Sequence, residues 1–402
     1  MKRLWKSKLI LLAILGILAF DLANDFPLVD IKETAIVVAI GLDREGEDYE
    51  VSAQIAVPQA TDQAAMYKAS VISGKGRTPA LALENIGTHT GWYIKLSFCN
   101  VIFLGKSILE DDVMECIDYF IRTDRINDTV ELCAADGAAK EIITATAALD
   151  DVSAFSVLKI LERDAESAST VSFMNLKEFA MGYYSPSGFS LMPKIKVEPA
   201  VKPESGNGTD SGGQEENSGQ GENSGGKKDE KIFNANTTVL FNKGKAAGEL
   251  DEERTLLFNL VRHRTSESSV LLHDSDFYGH EADLMISLRD NKWRYDLKLE
   301  NGRPVLDVYL TAKARIDDTN VIVPPHTLAT SYTVPDNVLK DLEEKIESGL
   351  IGIFEECRDN DCDVFCIRER LYRTQNRYYE GYKDIVLQNA GVRVKAEAKS
   401  YK

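Results

Sequence analysis

Apolar and polar positions along the chain sort into short, separable runs. Residues 34–42 form one apolar run with Ala35-Ile36-Val37-Val38-Ala39-Ile40 at its centre. The run is too short and too β-branched to favour a helix, and it predicts a buried strand. Gly46 sits in a polar turn over 45–48, and residues 49–57 alternate as the returning strand of a hairpin. Residues 71–76 predict a strand that runs into a glycine turn. Thr78-Pro79 then opens a helix, with Thr78 as cap and Pro79 at the first helical position, where its missing N–H costs nothing. Residues 98–104 read as an apolar strand. Residues 107–121 read as a helix with Val113, Ile117, Phe120 and Ile121 on one face. A strand over 129–135 and a helix starting at 137–144 follow.

Beyond residue 231 the pattern resumes. It gives a strand at 236–241, a turn at Lys243-Gly244 and a short helix at 252–260. Three strands follow at 283–288, 292–300 and 305–315, with turns at Asp290-Asn291 and Asn301-Gly302. Asn-Gly between strands is a strong hairpin signal. Residues 335–356 form a long amphipathic helix burying Val338, Leu339, Leu342, Ile346, Leu350 and Ile353. A second helix or irregular segment covers 365–373, and 392–398 alternate as a closing strand. The expected class is α+β, multi-domain, with mixed or antiparallel sheets each covered by helices.

Two stretches break the globular pattern. Residues 202–231 contain no aromatic residue and no Ile, Leu, Met or Val. Such a stretch cannot bury enough apolar area to offset its ordering entropy, so it is expected as a disordered linker over 201–231. At the other extreme, Lys2, Arg3, Lys6 and Lys8 precede Leu9-Ile10-Leu11-Leu12-Ala13-Ile14-Leu15-Gly16-Ile17-Leu18-Ala19-Phe20, and Asp21 ends the run. Basic residues before a short apolar run have the form of an export signal. The basic end stays in the cytoplasm, so the rest of the chain is expected outside. The twelve residues Leu9 to Phe20 are short for a span of about 17–25, and no small-x-small cleavage site is well formed. The segment is read as an export signal or as an uncleaved membrane anchor.

Composition narrows the class further. The 402 residues carry a net charge of −17 at pH 7. An acidic surface repels phosphate backbones, which excludes nucleic acid as an expected partner. Catalytic signatures fail one by one. Gly74-Lys75-Gly76-Arg77-Thr78 has its glycines in the wrong order for a phosphate loop and reads as a turn with a helix cap. His273, Asp274, Asp276, His280, Glu281 and Asp283 cluster, but His280-Glu281 lacks the second histidine of a zinc peptidase helix. Cys357, Cys362 and Cys366 lack a fourth ligand and any Cys-x-x-Cys pair. They are read as buried thiols or as a source of one disulfide. Cys99 and Cys133 fall on strands that could be neighbours. Asp111-Asp112, Asp150-Asp151 and Asp317-Asp318 read as solvated helix ends or turns. No catalytic, cofactor or metal residue is assigned.

Several segments together resemble the Ger(x)C family, the C subunit of bacterial spore germinant receptors. They are Ala39-Ile40-Gly41-Leu42-Asp43 with the strand closed by Pro58, the glycine turn and helix over 74–83, and Tyr119-Phe120-Ile121-Arg122-Thr123-Asp124-Arg125 with 130–139. Thr238-Val239-Leu240-Phe241 with Gly248-Glu249-Leu250 and Cys362-Asp363-Val364-Phe365 with 382–386 and 392–398 complete the series. The family is commonly lipid-modified, whereas no cysteine precedes Cys99, so the peptide itself would have to anchor this chain. The resemblance implies a three-domain ectodomain on the outer face of the inner spore membrane. Its implied partners are the receptor's A and B membrane subunits and the membrane, and no catalytic residue is carried over. The expected division is 1–26 as signal or anchor, 27–58 with 140–200 as a first module, 59–139 as a second inserted in it, and 232–402 as a C-terminal domain. The competing expectation is an exported protein that binds a small molecule or cell-wall fragment.

Overall fold

The computed structural model describes residues 12–17, 34–60, 65–147, 150–163, 169–200, 230–263, 267–321 and 333–401. The expected linker, apart from Glu230 and Lys231, and half of the expected anchor lie outside the described residues. Residues 12–17 are helical and exposed. Among the described residues no helix is long and apolar enough to cross a membrane.

A first sheet takes nine strands among the described residues. They are β1 (Thr34–Glu45), β2 (Asp48–Ala60), β3 (Ala65–Gly76), β4 (Tyr93–Lys95), β5 (Val101–Leu104), β6 (Glu131–Ala135), β7 (Phe189–Pro199), β8 (Lys231–Asn242) and β9 (Lys245–Leu250). Their order is β3-β2-β1-β5-β6-β7-β8-β9, with β4 joined to the start of β1. The centre, β1-β5-β6-β7, is parallel, and both flanks are antiparallel hairpins. Parallel strands need crossovers, and these are helical. α1 (Pro79–Thr90), α2 (Lys106–Leu109), α3 (Met114–Arg122) and α6 (Leu176–Tyr184) pack on one face. α4 (Ala139–Thr144) and α5 (Ser153–Arg163) pack on the other.

Two covered faces explain the unbroken apolar runs. In β5, Ile102 and Leu104 join one core while Val101 and Phe103 join the opposite one. In β1 a bulge between Val37 and Ala39 resets the alternation, so Ala35, Val37, Ile40 and Leu42 share a face.

The second sheet is β10 (Ser268–Phe277), β11 (His280–Glu300), β12 (Arg303–Thr319) and β13 (Gly391–Ser400), in that order, with β12 and β13 parallel. α8 (Asp336–Asp359) lies on it, burying Val338, Leu342, Ile346, Leu350 and Ile353, with Leu339 half-buried. It also satisfies the edge strand. Ala398 and Ala396 of β13 donate backbone N–H groups to Glu343 Oε1 (2.8 Å) and Glu347 Oε1 (2.9 Å). α7 (Glu252–Leu260), α9 (Ile367–Thr374) and α10 (Asn376–Tyr382) fill the junction. Phe189, Leu191, Leu240 and Leu250 of the first sheet share the core of the second.

The architecture is α+β with two mixed sheets. The first sheet joins β1 to β9 in one continuous hydrogen-bonded order. β2, β5 and β6 all belong to it, and the strands flanking the expected linker, β7 and β8, pair with each other. Two local expectations are corrected. Residues 107–121 are two helices, because Asp112 Oδ1 accepts from Met114 N (2.9 Å) while Val113 N reaches Gly244 O (3.0 Å). Asp290-Asn291 is a bulge inside β11, with Asp290 at φ 56°. The bulge frees the Asn291 amide to donate to Leu260 O and His263 O (both 2.8 Å), tying down the end of α7. The strands expected around Cys99 and Cys133 do pair, as β5 and β6, and the two thiols lie in cores on opposite faces of the sheet.

Candidate functional site

Many of the residues singled out by their chemistry have structural partners. Thr78 Oγ1 accepts from Leu81 N (3.2 Å), capping α1. Gly74 and Gly76 let that helix lie against β3, since a Cβ on Gly74 would sit 2.3 Å from Ala82 O. Lys75 and Arg77 pair with Glu45 and Glu47. His273 contacts Asp283 (3.1 Å) on the β10–β11 hairpin, and Asp276 Oδ1 accepts from Gly279 N (2.8 Å) in its turn. Among the described residues no His, Cys, Asp and Glu group could hold a metal. Asp111 pairs with Arg44, Asp150 with Lys159 and Asp317 with Arg315. All six cysteines are free thiols. Burial pushes Cys99 and Cys116 up to about 12, far from a reactive thiolate.

Two aspartates of the resemblance motifs act as latches. Asp43, at the carboxyl end of β1, is buried. Its Oδ1 accepts from Ala139 N (2.8 Å) and its Oδ2 from Lys140 N (3.0 Å), capping α4 from far along the chain. Gly41 faces the same helix, where a Cβ would lie 2.9 Å from the Ile143 side chain. In parallel sheets the crevice beyond the strands' carboxyl ends is the usual ligand site. Here the Asp43 carboxylate occupies that position. Burial raises its pKa, against the lowering by the two amides.

Asp363 does the same for α9, accepting from Ile367 N and Arg368 N (both 2.8 Å). Ser187, from the first sheet's side, donates its hydroxyl to Asp363 Oδ2 (2.7 Å) and accepts from Glu369 N (3.1 Å). The two units are thus bolted together beside β7.

That bolt borders a two-part cleft. The inner part, about 360 Å³, is walled by Phe258, Trp293, Tyr295 and Phe365 and carries Arg262 and Arg370. The outer part, about 630 Å³, lies between α6 and α9 and is lined by Ile121, Met181, Tyr184, Pro186 and Tyr372. Met181, Ser185 and Glu369 line both parts. Met181 is 65% and Tyr184 70% exposed, values that mark an unpartnered surface for side chains of this size.

The inner cleft carries Arg262 and Arg370 together with Glu178 and Glu369. Arg370 stacks 4.1 Å above the Tyr295 ring and donates Nε–H to Phe365 O (3.1 Å). Arg262 lies 5.8 Å from the Phe258 ring and donates to Ser172 Oγ (2.9 Å). Neither has a carboxylate ion pair among the described residues. Burial lowers the Arg262 pKa to about 10, which leaves it charged at neutral pH. Burial pushes the Cys366 thiol up to about 12, so it stays neutral. At the rim, Glu178 closes a capping box with Asn175, and Glu369 pairs with Arg373 (2.5 Å). Burial, and then the neighbouring Glu178 charge, raise Glu131 to about 7. The inner part thus combines apolar walls, two arginines fixed by ring and hydrogen-bond contacts, and a protonated thiol. Of the cleft residues, Ile121, Val364, Phe365 and Cys366 were named from the sequence, none of them for a cleft, and Arg262, Trp293, Tyr295 and Arg370 were not, because they come from distant segments. The one available signal was the tyrosine density of Tyr183-Tyr184 and of 372–382.

Fold and cleft define a two-sheet α+β protein with an aromatic, arginine-bearing junction open to solvent. Family models identify it more closely. The spore germination protein N-terminal domain matches residues 28–197, and the spore germination B3/GerAC-like C-terminal domain matches 236–400. The chain belongs to the Ger(x)C family of spore germination proteins. Its fold is similar to that in the crystal structure of the GerBC protein, with a TM-score of 0.51 and 12% identity, covering 90% of this chain and 97% of that one. No curated protein matches it.

Proposed function

We propose that this protein is a non-catalytic, membrane-anchored subunit of a spore germinant receptor, held by residues 9–20 at the outer face of the inner spore membrane. Its partners are the receptor's A and B membrane subunits, and it serves assembly or signalling while germinant is sensed. Family membership over both halves of the chain supports the receptor role. The observation that carries the assembly reading is the exposed groove of Met181, Tyr184 and Tyr372 beside the Ser187–Asp363 bolt. A partner helix seated there would bury both α6 and α9 and so respond to any shift between the two units. The polar rim residues Lys177, Glu369 and Arg373 fit the rim of such an interface.

The test is dipicolinate release from spores lacking the gene, over a nutrient panel, complemented by wild type or by Met181→Ser/Tyr184→Ser. The deletion should abolish release to some nutrients. The variant, present at wild-type level, should fail to restore it. Unchanged release in the deletion strain, with paralogues also removed, would refute the receptor role. Full complementation by the variant would refute the groove as the interface. The inner cleft supports a second reading, binding of a small anionic molecule or cell-wall fragment between Arg262 and Arg370. That reading expects ligand-dependent thermal stabilisation, lost in Arg370→Met.

A further inference from the structure

We propose that the end of the first sheet where β1 begins is this protein's membrane-facing surface, with Trp92, Tyr93, Lys95 and Phe98 seated in the headgroup layer of a lipid bilayer. The proposal rests on the reading of residues 9–20 as a membrane anchor.

The exposure there is concentrated. Trp92 is 45%, Tyr93 46% and Phe98 52% exposed, three large rings in one short segment. Gly91, at φ 73°, turns the chain out of α1 into this segment. β4 then pairs with the first residues of β1, Thr34 opposite Tyr93 and Ile36 opposite Lys95. The rings therefore stand where the chain arrives from its N-terminal segment. Lys95 Nζ lies 5.6 Å from the Phe98 ring centroid. Beside them a cleft of about 590 Å³ opens between α1 and α3, with Tyr119, Glu84 and Arg125 in its lining.

Polarity differs between the two ends of the sheet. At the far end of β1 and β2, Arg44, Glu45 and Glu47 are tied into ion pairs with Asp111, Lys75 and Arg77. That end suits water. At the near end, Arg122 and Lys177 are neutralised by Asp118 and Asp128, whereas Lys95 and Arg125, like the exposed Glu84 and Asp124, have no ion pair among the described residues. Trp and Tyr favour the membrane–water interface because each ring has an apolar body and a polar tip. Lysine and arginine beside them suit anionic headgroups, in a chain that otherwise carries −17. Residues 21–33 separate the anchor from Thr34, and at roughly 3.5 Å each they reach at most about 45 Å. The tether thus joins the folded body at this end of the first sheet. Both the tether and the polarity favour lipid over a protein partner as the occupant.

The experiment uses the full chain reconstituted into vesicles of equal parts phosphatidylcholine and phosphatidylglycerol. Trp5→Phe and Trp293→Phe leave Trp92 as the sole tryptophan. Emission is compared with and without phosphatidylcholine brominated high on its acyl chains. Trp92 should emit to the blue and lose roughly half its intensity to the brominated lipid, as an interfacial ring does. Tyr93→Ser/Phe98→Ser should relieve the quenching. The native-tryptophan protein provides an independent reading, since Trp92→Phe should remove a quenched fraction from it. Protein that floats with the vesicles while Trp92 stays unquenched would overturn the proposal and leave this edge to a protein partner. Protein that fails to float would overturn the anchor reading, and the proposal with it.

Discussion

Replacing Asp43 by alanine should destabilise the first sheet without touching its apolar core. The carboxylate accepts two backbone N–H groups of α4 at 2.8 and 3.0 Å, and each loses its partner in the variant. A hydrogen bond to a charged acceptor contributes about 1.5–3 kcal/mol. Burial already raises the Asp43 pKa, so removing the carboxylate recovers part of its desolvation cost. The net loss should be about 2–4 kcal/mol, a large fraction of a typical total of roughly 5–15 kcal/mol. Asparagine keeps one acceptor and should lose about half as much. Urea unfolding followed by circular dichroism reads the change as a lower midpoint at constant slope. Gly105 supplies an internal control. A Cβ there would lie 1.9 Å from Asp43 Oδ1, so Gly105→Ala attacks the same latch from the other side. The two losses should fall short of additive by about 1–2 kcal/mol in the double variant. An Asp43→Ala loss below about 0.5 kcal/mol, the range of an ordinary surface change, would refute the latch. Strict additivity would refute the shared contact.

Glu131, with its pKa raised to about 7 by burial and by Glu178, holds its proton in the fold where an exposed glutamate would have released it. Its contribution is present at acid pH and is lost as pH rises from the ordinary carboxylate range through about 7. Glu131→Gln should flatten that slope and, above it, stabilise the protein by about 1–2 kcal/mol after allowing for partial exposure, as thermal melts across pH will test. Gly74→Ala should cost about 1–3 kcal/mol in a denaturant titration, because its Cβ would press on Ala82 O and force α1 off β3. Glu343→Ala/Glu347→Ala should cost about 2 kcal/mol and leave the β13 edge open, while the Gln pair keeps both acceptors and most of the stability. Light scattering of the Ala pair, compared with the Gln pair, checks whether the exposed edge promotes self-association.

The sequence was most legible where pattern and capping chemistry agree. The 252–260 helix, capped by Asp251, ends at the expected residues. The Thr78-Pro79 helix start and the Asn301-Gly302 hairpin stand where their chemistry puts them. Legibility failed where a distant contact decides. Nothing near Asp112 announces that Gly244 O will draw Val113 out of a helix. Asp290-Asn291 has turn chemistry, yet both flanking segments pair with β12, so the same left-handed residue makes a bulge. The family motifs were visible as letters, but the reasons for Asp43 and Asp363 appear only when Ala139 and Ser187 are brought beside them. The cleft was invisible for the same reason. Arg262, Trp293, Tyr295 and Arg370 have no shared period or spacing.

The pairing of β7 with β8 bears on how the chain can be cut. The two strands run antiparallel from Phe189 opposite Asn242 to Pro199 opposite Lys231, and Ala200 N still reaches Glu230 O at 3.0 Å. β8 and β9 also bury Val239, Leu240, Phe241 and Leu250 in the cores of both units. A backbone break between Ala200 and Glu230 would therefore leave two pieces zipped along a full strand pair. Such a nicked protein would run as one particle in native buffer and as two bands once denatured. The two halves, expressed from separate genes, would be expected to find each other, and this hairpin tip is the place to graft a reporter without disturbing the cleft or the membrane-facing edge.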